Sequence, residues 1–348
     1  MVKKLYKADR VGTGKGQGNL LAEDHSPAGE PGKLVSHTGR TRGGDGLAFN
    51  RNPAPDLKPW FGWFSVTDAE VPNGGRIDDG MLNDHAVIRI LFEGHWTAQT
   101  RDGEKVFEPG KEGMTLYFGP QSQVLPITGA GKIKVLSVHL EPGAATMMGG
   151  PSQGEMLDRI INHDELVGHG RLSSRIDLDK TPQEWLEAFE AELRKFLQIN
   201  RTPEPDPITV AFERETLVNP SFLLREFAEE HGCSTRTVER VIKRDYGLSP
   251  KQVCRRARAL DMAAALLGVA MEEEEAALRL RYFDQPHLIR EIKAFFGTTP
   301  HELKSGRHPF LRLNLEVRQS RRVQALALLP PGTIEPWRDP SAEPGSED

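Results

Sequence analysis

Two stretches towards the C-terminal end decide the fold: residues 233–250 read CSTRTVERVIKRDYGLSP, and residues 282–300 read YFDQPHLIREIKAFFGTTP. Each runs from a polar residue, through mixed basic and apolar positions, to a glycine followed by a proline. A polar residue suits the N-cap of a helix, and glycine suits the left-handed position just past its end. Both stretches are therefore predicted to form capped amphipathic helices of one design.

The first helix is predicted to begin after Ser234 and to end at Gly247, with one buried stripe and one basic side. Its apolar positions recur at steps of three and four; they are Val238, Val241, Ile242 and Tyr246. The basic residues are Arg236, Arg240 and Lys243. A helix that is apolar on one side and basic on the other suits the major groove of DNA. Residues 219–232 predict a shorter helix before it, which gives the order of a helix-turn-helix motif.

The second helix is predicted to have Asp284 as its N-cap. Its buried positions are predicted to be Leu288, Ile292, Phe295 and Phe296. Ser249-Pro250 opens a third helix, which is predicted to run to about Gly268 and to span roughly 25 Å between the two motifs. Its basic residues are predicted to contact phosphates; they are Lys251, Arg255, Arg256 and Arg258.

The region from about Leu217 to Leu303 resembles the DNA-binding domain of AraC/XylS-type bacterial transcription regulators. The first motif matches at Ala228, Gly232, Ser234, Arg240, Gly247 and Pro250, and the second at Ala277, Asp284, Gln285, His287, Arg290, Lys293, Gly297, Thr299 and Pro300. The chain departs from the family at Arg281-Tyr282 and Pro286, so the second motif is expected to read fewer bases. The resemblance implies base-facing residues Arg236, Glu239 and Arg240 in the first helix and Gln285, Pro286, His287, Ile289 and Arg290 in the second, supported by Lys243 and Lys293.

Net charge restricts the way in which such a chain holds DNA. The formal charge is −5 and the pI about 6.2, which excludes proteins that coat DNA through bulk positive charge. Between residues 219 and 310 the basic residues exceed the acidic ones by only two, so affinity is expected to depend on where each charge is placed. The two cysteines, Cys233 and Cys254, are expected to be thiols in a reducing compartment. No apolar run reaches membrane-spanning length and no signal-peptide core is present, so we expect a cytoplasmic protein.

From residue 59 to 141 the pattern changes to short β-rich runs separated by turn residues, with a hairpin signal at Asp102-Gly103. The expected strands are 60–66, 87–92, 96–100, 114–118 and 133–140. Such spacing favours a small antiparallel barrel or jelly roll. His85, His95 and His139 raise the alternative of a cupin-type metal site, but the chain lacks a His-x-His pair with a nearby glutamate. Structural or pocket-lining histidines are the favoured interpretation, with no metal and no cofactor.

Helices are expected to follow this barrel. One is predicted at 154–161, and Thr181-Pro182-Gln183-Glu184 is a capping box that opens another. The second helix is expected to pack its apolar face on the barrel, with dimerisation as an alternative use. Residues 52–197 also resemble the uncharacterised, cupin-like N-terminal domain that precedes some AraC-type domains, at Pro55-Asp56-Leu57-Lys58-Pro59-Trp60, at the 87–92 strand and at residues 138–144.

The sequence therefore predicts an α+β multidomain protein. It has an N-terminal antiparallel β-barrel (cupin-like) with flanking helices and a C-terminal all-α domain with two helix-turn-helix motifs joined by a long helix. The expected boundaries are a disordered tail at 1–52, a sensor or dimerisation domain at 53–200, a proline-rich linker at 201–207, the DNA-binding domain at 208–312 and a disordered tail at 313–348. In the last, Arg318, Arg321 and Arg322 raise the minor alternative of a phosphate-binding arm.

The predicted function is that of a sequence-specific DNA-binding transcription regulator and not an enzyme. Its expected partners are double-stranded promoter DNA and a small-molecule effector in the barrel, with RNA polymerase and a second copy of the chain as further candidates and no membrane. Two alternatives stay open: a metal-dependent cupin enzyme with an accessory DNA-binding domain, and a ligand-independent architectural DNA binder.

Overall fold

The structure is a computed structural model that describes residues 48–71, 75–164, 172–270, 286–330 and 333. Its N-terminal part is an antiparallel β-sheet and its C-terminal part is helical. Most of the expected tail at 1–52, all of 334–348, and the segment 271–285 with Asp284 and Gln285 lie outside the described residues. The fold class expected from the sequence is confirmed at this level of description.

The sheet has eight strands. They are β1 (Ala48–Arg51), β2 (Phe61–Glu70), β3 (Arg76–Met81), β4 (Val87–Thr100), β5 (Gly103–Phe107), β6 (Met114–Phe118), β7 (Leu125–Leu140) and β8 (Ile160–Asn162). The order is β1-β2-β7-β4-β6-β8, with β3 on β7 and β5 on β4. Among the described residues β1 and β8 do not pair with each other, so closure into a barrel stays a prediction. The expected tail boundary at residue 52 was wrong, because β1 already pairs with β2.

The two long central strands divide the apolar side chains between the two faces of the sheet. In β4, Ile88 and Ile90 pack on one face, while Val87 and Leu91 pack on the other. This alternation follows from the period of two along a strand. One face therefore supports a helix and the other faces a cavity. The register of β4 on β7 shifts near Glu93, which accounts for the two separate strands, 87–92 and 96–100, that the sequence predicted.

Ten α-helices are present in the described residues. They are α1 (Ala144–Met147), α2 (Gln153–Met156), α3 (Pro182–Asn200), α4 (Pro207–Val218), α5 (Leu224–Glu230), α6 (Thr235–Tyr246), α7 (Pro250–Leu266), α8 (Pro286–Phe296), α9 (Pro300–Ser305) and α10 (Pro309–Leu326). The helix expected at 154–161 is shorter than predicted, because the chain turns after Met156 into β8.

Helix α3 covers one face of the sheet. Thr181 and Glu184 form the predicted capping box at its start, and Trp185, Leu186 and Phe189 are buried in the core that it shares with β2, β4 and β7. Burying each such side chain contributes about 1.5–3 kcal/mol. Packing on the sheet is thus confirmed, and the apolar face of α3 is not free for a second copy of the chain.

The C-terminal helix α10 corrects the prediction of a disordered tail beginning at residue 313. It runs from Pro309 to Leu326, and Leu311 and Leu315 are fully buried against α7 and α8. At its start Phe310 packs over Gly129 of β7 and against Trp96. This helix therefore links the sheet to the helical part of the chain.

A buried network of charges holds this link. Arg318 donates to Asp261 of α7 and to Asp84 of the β3–β4 loop, each at 2.9 Å. Arg321 pairs with Glu141 at 2.7 Å and with Glu213 of α4 at 3.0 Å. Arg322 also pairs with Asp261, at 2.8 Å. The minor alternative of a phosphate-binding arm at Arg318–Arg322 was wrong, because these three arginines are nearly fully buried among carboxylates that are distant in sequence.

The three expected pocket histidines fall in three different environments. His95 is exposed and pairs with Glu108, whereas His139 is half-buried, and its burial together with nearby Arg89 holds its pKa well below the usual range. His85 is buried, with its Nε2 2.8 Å from Glu213. Asp84, His85 and Glu213 come close enough together to resemble a metal-ligand set. Because Arg318 and Arg321 already neutralise both carboxylates, this donor set does not favour a cation.

Candidate nucleic-acid interface

Helix α6 begins and ends where the sequence predicts. The Ser234 hydroxyl accepts from the Thr237 amide at 3.1 Å, and Gly247 takes the left-handed conformation at φ 71°. The predicted apolar stripe is buried against α4 and α5; it consists of Val238, Val241, Ile242 and Tyr246. One side of the helix is therefore held rigidly in the core.

The opposite side of α6 carries all four residues predicted to meet DNA. Arg236, Glu239, Arg240 and Lys243 are exposed. The basic surface expected from the sequence is thus present, and its side chains are not buried by packing.

The helix that precedes α6 completes the first motif. In α5, Phe227 and Ala228 are buried, and the ring of Phe227 meets that of Phe212 of α4 edge-on at 5.6 Å. Gly232, at φ 62°, makes the turn between α5 and α6. Short helix, glycine turn and basic helix follow one another as predicted.

Helix α8 has the same division into a buried and an exposed side. Ile292 and Phe296 are fully buried, and Gly297 ends the helix at φ 69°. Ile289, Arg290 and Lys293 are exposed, and an isoleucine that is 42% exposed on a helix is available for apolar contact. Pro286 and His287 lie in the first turn of α8, and Gln285 falls outside the described residues.

The joining helix α7 is a spacer of fixed length. A capping box of Ser249 and Gln252 starts it, and its 17 residues span roughly 25 Å at about 1.5 Å each. Its predicted apolar seam is buried; it consists of Val253, Ala257, Leu260, Ala264 and Leu267. The two motifs are therefore joined by an element that is packed along its length.

The prediction that four basic residues of α7 contact phosphates was wrong for Arg256. Its guanidinium is fully buried and donates to the backbone carbonyls of Gln121 and Asp84, at 2.7 and 2.6 Å. Arg255 pairs with the buried Glu291 of α8 at 2.7 Å, and Arg258 donates to a backbone carbonyl. Of the four, Lys251 is exposed, whereas Arg255 and Arg258 are half-buried. Arg256 thus joins the helical part to the sheet instead of binding DNA.

The two cysteines are free thiols of intermediate exposure. Burial raises the pKa of Cys254 to about 11, so this group stays protonated near neutral pH.

A second feature of the structure is a cavity on the sheet face opposite α3. It has a volume of about 40 Å³. The lining is apolar except for Arg89, Thr67 and Asn314, and Phe310 and Leu313 of α10 close one side. The only sequence signal for it was the single charge of Arg89 within the apolar run of residues 87–92.

These observations define the class of the C-terminal part: a helix-turn-helix domain of the kind that binds DNA. In agreement, residues 227–306 match a family model described as "Helix-turn-helix domain". The chain thus carries a helix-turn-helix domain, within the region that resembles the DNA-binding domain of AraC/XylS-type regulators.

Comparison with other proteins gives two further findings. A search of curated proteins found no match. Among solved structures, an apo variant of ToxT from Vibrio cholerae aligns at 9% identity and TM-score 0.40, covering 69% of this chain and 96% of that chain. Wild-type ToxT bound to an unsaturated fatty acid aligns at 10% identity and TM-score 0.39, covering 70% and 97%. At such TM-scores the likeness carries no conclusion for this chain.

None of the described helices has the length and apolar character that a membrane crossing requires.

Proposed function

We propose that the protein is a sequence-specific transcription regulator that binds promoter DNA through α6 and α8, under control of a small molecule bound by the sheet. The observation that carries this proposal is the division of α6. One side is fully buried while Arg236, Arg240 and Lys243 stand exposed on the other, within a matched helix-turn-helix domain. An exposed side chain on a helix whose other side is buried can enter a groove of DNA without disturbing the protein core.

The two exposed helices have different parts in this proposal. Arg240 and Arg290 are the principal contacts, since an arginine donates two hydrogen bonds to guanine or holds a phosphate. Arg236 is a further base-facing residue of α6, and Lys243 and Lys293 add phosphate contacts, which position the protein without specifying sequence. Glu239 accepts from cytosine. The remaining base-facing positions are Pro286, His287 and Ile289 of α8 and Gln285, which precedes them in the sequence.

Charge placement, and not total charge, sets the affinity. Basic residues exceed acidic ones by only two between 219 and 310, so binding to random DNA is expected to be weak. An architectural binder, which has little sequence preference, is expected to bind random DNA strongly. Competition with random DNA therefore distinguishes the regulator from that alternative, and strong competition would favour the architectural binder.

The experiment that tests the proposal uses the full chain. Genomic fragments that bind the purified protein are selected, and their affinity is measured for wild type, Arg240→Ala and Arg290→Ala. Each substitution is expected to cost about 1–3 kcal/mol, or roughly 5- to 150-fold, if the arginine contacts a guanine. Arg101→Ala, at an exposed position in the turn between β4 and β5, is the matched control and should leave affinity unchanged. Full affinity in both test variants would contradict the proposal.

Contact with RNA polymerase and self-association also belong to this proposal. Because α3 is committed to the sheet, a homodimer would use another surface. Sedimentation of the full chain with and without selected DNA measures its stoichiometry.

A further inference from the structure

The cavity of the sheet combines an apolar lining with one positive charge. Among the described residues that line it, Arg89 is the only charged one. Trp96, Phe107, Phe118 and Phe310 contribute aromatic rings to the wall. An apolar pocket with few polar groups is the usual form of a small-molecule site, and those groups set the orientation of the ligand.

Arg89 is only partly satisfied by its neighbours. It donates to the Ser137 hydroxyl at 3.0 Å and, at a longer 3.4 Å, to the Asn83 side-chain oxygen. Its guanidinium carbon lies 5.0 Å from the centre of the Phe118 ring. The buried Nε has no hydrogen-bond partner among the described residues, and no described carboxylate pairs with the group.

Arg89 is half-buried and differs from the more deeply buried arginines in what surrounds it. Arg318, Arg321 and Arg322 each pair with a carboxylate, and Arg256 donates to two backbone carbonyls, whereas Arg89 lies beside an apolar cavity. Burial lowers the pKa of Arg89 to about 10, so it still carries its charge near neutral pH. Removing a charge from water without a counterion is unfavourable, and an anion placed beside Arg89 would relieve that penalty.

We propose that this cavity binds a small apolar carboxylic acid, whose carboxylate pairs with Arg89 and whose hydrocarbon part lies against Trp96 and Phe310. The inference rests on the proposed function, in which a small molecule controls the regulator, and it gives that molecule a chemical class. A carboxylate matches the two parallel donors of a guanidinium. A phosphate dianion fits less well, because one cation and an apolar wall leave most of its oxygens without donors.

The size of the cavity implies that binding moves one wall. Its volume is about 40 Å³, whereas a cavity that admits benzene has about 150 Å³. Phe310, Leu313 and Asn314 belong to α10, which packs across the sheet. A ligand of this class therefore displaces the start of α10 and enlarges the cavity.

The same helix connects the cavity with the DNA-binding part. The Asn314 side-chain amide donates to Asn83 at 2.9 Å, and Asn83 also accepts from Arg89. The next residue along the loop, Asp84, pairs with Arg318, which also pairs with Asp261 of α7. Movement at Arg89 and Asn314 thus acts directly on the contacts that hold α7.

The test measures ligand binding by calorimetry on the full chain without DNA, so its outcome is independent of DNA binding. The probes are benzoate and octanoate, each compared with its neutral counterpart, benzyl alcohol or 1-octanol. At least one carboxylate is expected to bind wild type tenfold or more tightly than its alcohol. Equal affinity for both members of each pair, or no binding of either carboxylate, would overturn the proposal while leaving the DNA-binding proposal intact.

Three variants assign any preference to the guanidinium. Arg89→Met is expected to lose the preference for carboxylate, and Arg89→Lys to keep part of it because lysine retains the charge but not the paired donors. Arg101→Met, at the surface, should behave as wild type. Thermal unfolding checks that Arg89→Met is folded. The carboxylate should raise the Tm of the wild-type protein and leave the Tm of Arg89→Met unchanged. A preference that survives in folded Arg89→Met would contradict the assignment.

Discussion

Asp79 shows how one side chain can start a helix far away in the sequence. His308 occupies the N-cap of α10 but provides no side-chain cap. Instead the Asp79 carboxylate, on β3, accepts from the amides of Phe310 and Leu311 at 2.7 and 3.2 Å. It also lies 3.1 Å from His308 Nδ1. A buried carboxylate at the positive end of a helix both caps it and ties it to the sheet.

We predict that Asp79→Ala lowers the free energy of unfolding by about 1–3 kcal/mol, because it leaves two buried amides without an acceptor. Urea unfolding at neutral pH measures the change. Asp78→Ala, at the exposed neighbouring position on the same strand, should cost less than about 1 kcal/mol. Equal effects at the two positions would show that Asp79 does not cap α10.

At this scale the sequence predicted local signals well and distant partners poorly. Ser234 and Gly247 were identified correctly because a cap and a helix stop depend on residues within one turn. Arg256 was misassigned to phosphate binding because its acceptors, the carbonyls of Gln121 and Asp84, lie 135 and 172 residues away. No local pattern distinguishes an arginine that meets solvent from one that meets a remote carbonyl.

Among the elements, α10 and β3 were missed for a shared physical reason. The pattern of α10 is polar where the helix is buried, because Arg318, Arg321 and Arg322 pair with carboxylates of two loops and of α7. In β3 the buried Asp79 interrupts the apolar alternation. Period-based reasoning assumes that buried positions are apolar, so it fails where charge pairs fill the core.

The junction of α4, α10 and β7 is expected to control stability in acid. Burial alone would raise the pKa of Glu213, but nearby His85 and Arg321 lower it to about 2. Its folded pKa thus lies below the unfolded value of about 4.3. The stabilisation is complete above that unfolded value and is lost as pH falls towards 2. Asp84 is shifted in the same direction, whereas burial raises the pKa of Glu141 and opposes the effect.

We predict that Glu213→Gln is less stable than wild type at neutral pH by a few kcal/mol, because Arg321 loses one of two buried carboxylates. The difference should shrink as pH falls from about 4.5 to 2, since wild-type Glu213 becomes protonated there. Denaturant unfolding across this range measures it. For the control variant Glu187→Gln, on the exposed side of α3, the difference in stability from wild type should not change with pH. A difference for Glu213→Gln that is independent of pH would contradict the prediction.

For the molecule as a whole, the sheet and the helix-turn-helix part are packed against each other. The Val124 amide donates to the Phe295 carbonyl of α8 at 2.7 Å, and Leu82 shares a core with α7, α8 and α10. The cavity, α10 and the joining helix α7 therefore form one connected structure. In the proposed function, a ligand that moves one part would act through these contacts on the helices proposed to bind DNA.

The overall organisation was predictable to the extent that it depends on local pattern. The two amphipathic helices, the joining helix and the β-rich N-terminal half follow from caps, periodicity and turns. A small-molecule site in the barrel was predicted, but its position beside Arg89 was not, because the strands and the helix that line the cavity are distant in sequence. Strand closure into a barrel likewise depends on long-range pairing that no local signal reports.

The central claim is that the exposed faces of α6 and α8 contact DNA at two separate places. Chemical interference footprinting of a selected fragment with the full chain tests it most directly, with Arg240→Ala and Arg290→Ala run in parallel. We predict two clusters of contacted bases about ten base pairs apart, with each variant losing a different cluster. A single cluster, or two clusters that persist unchanged in both variants, would contradict the claim.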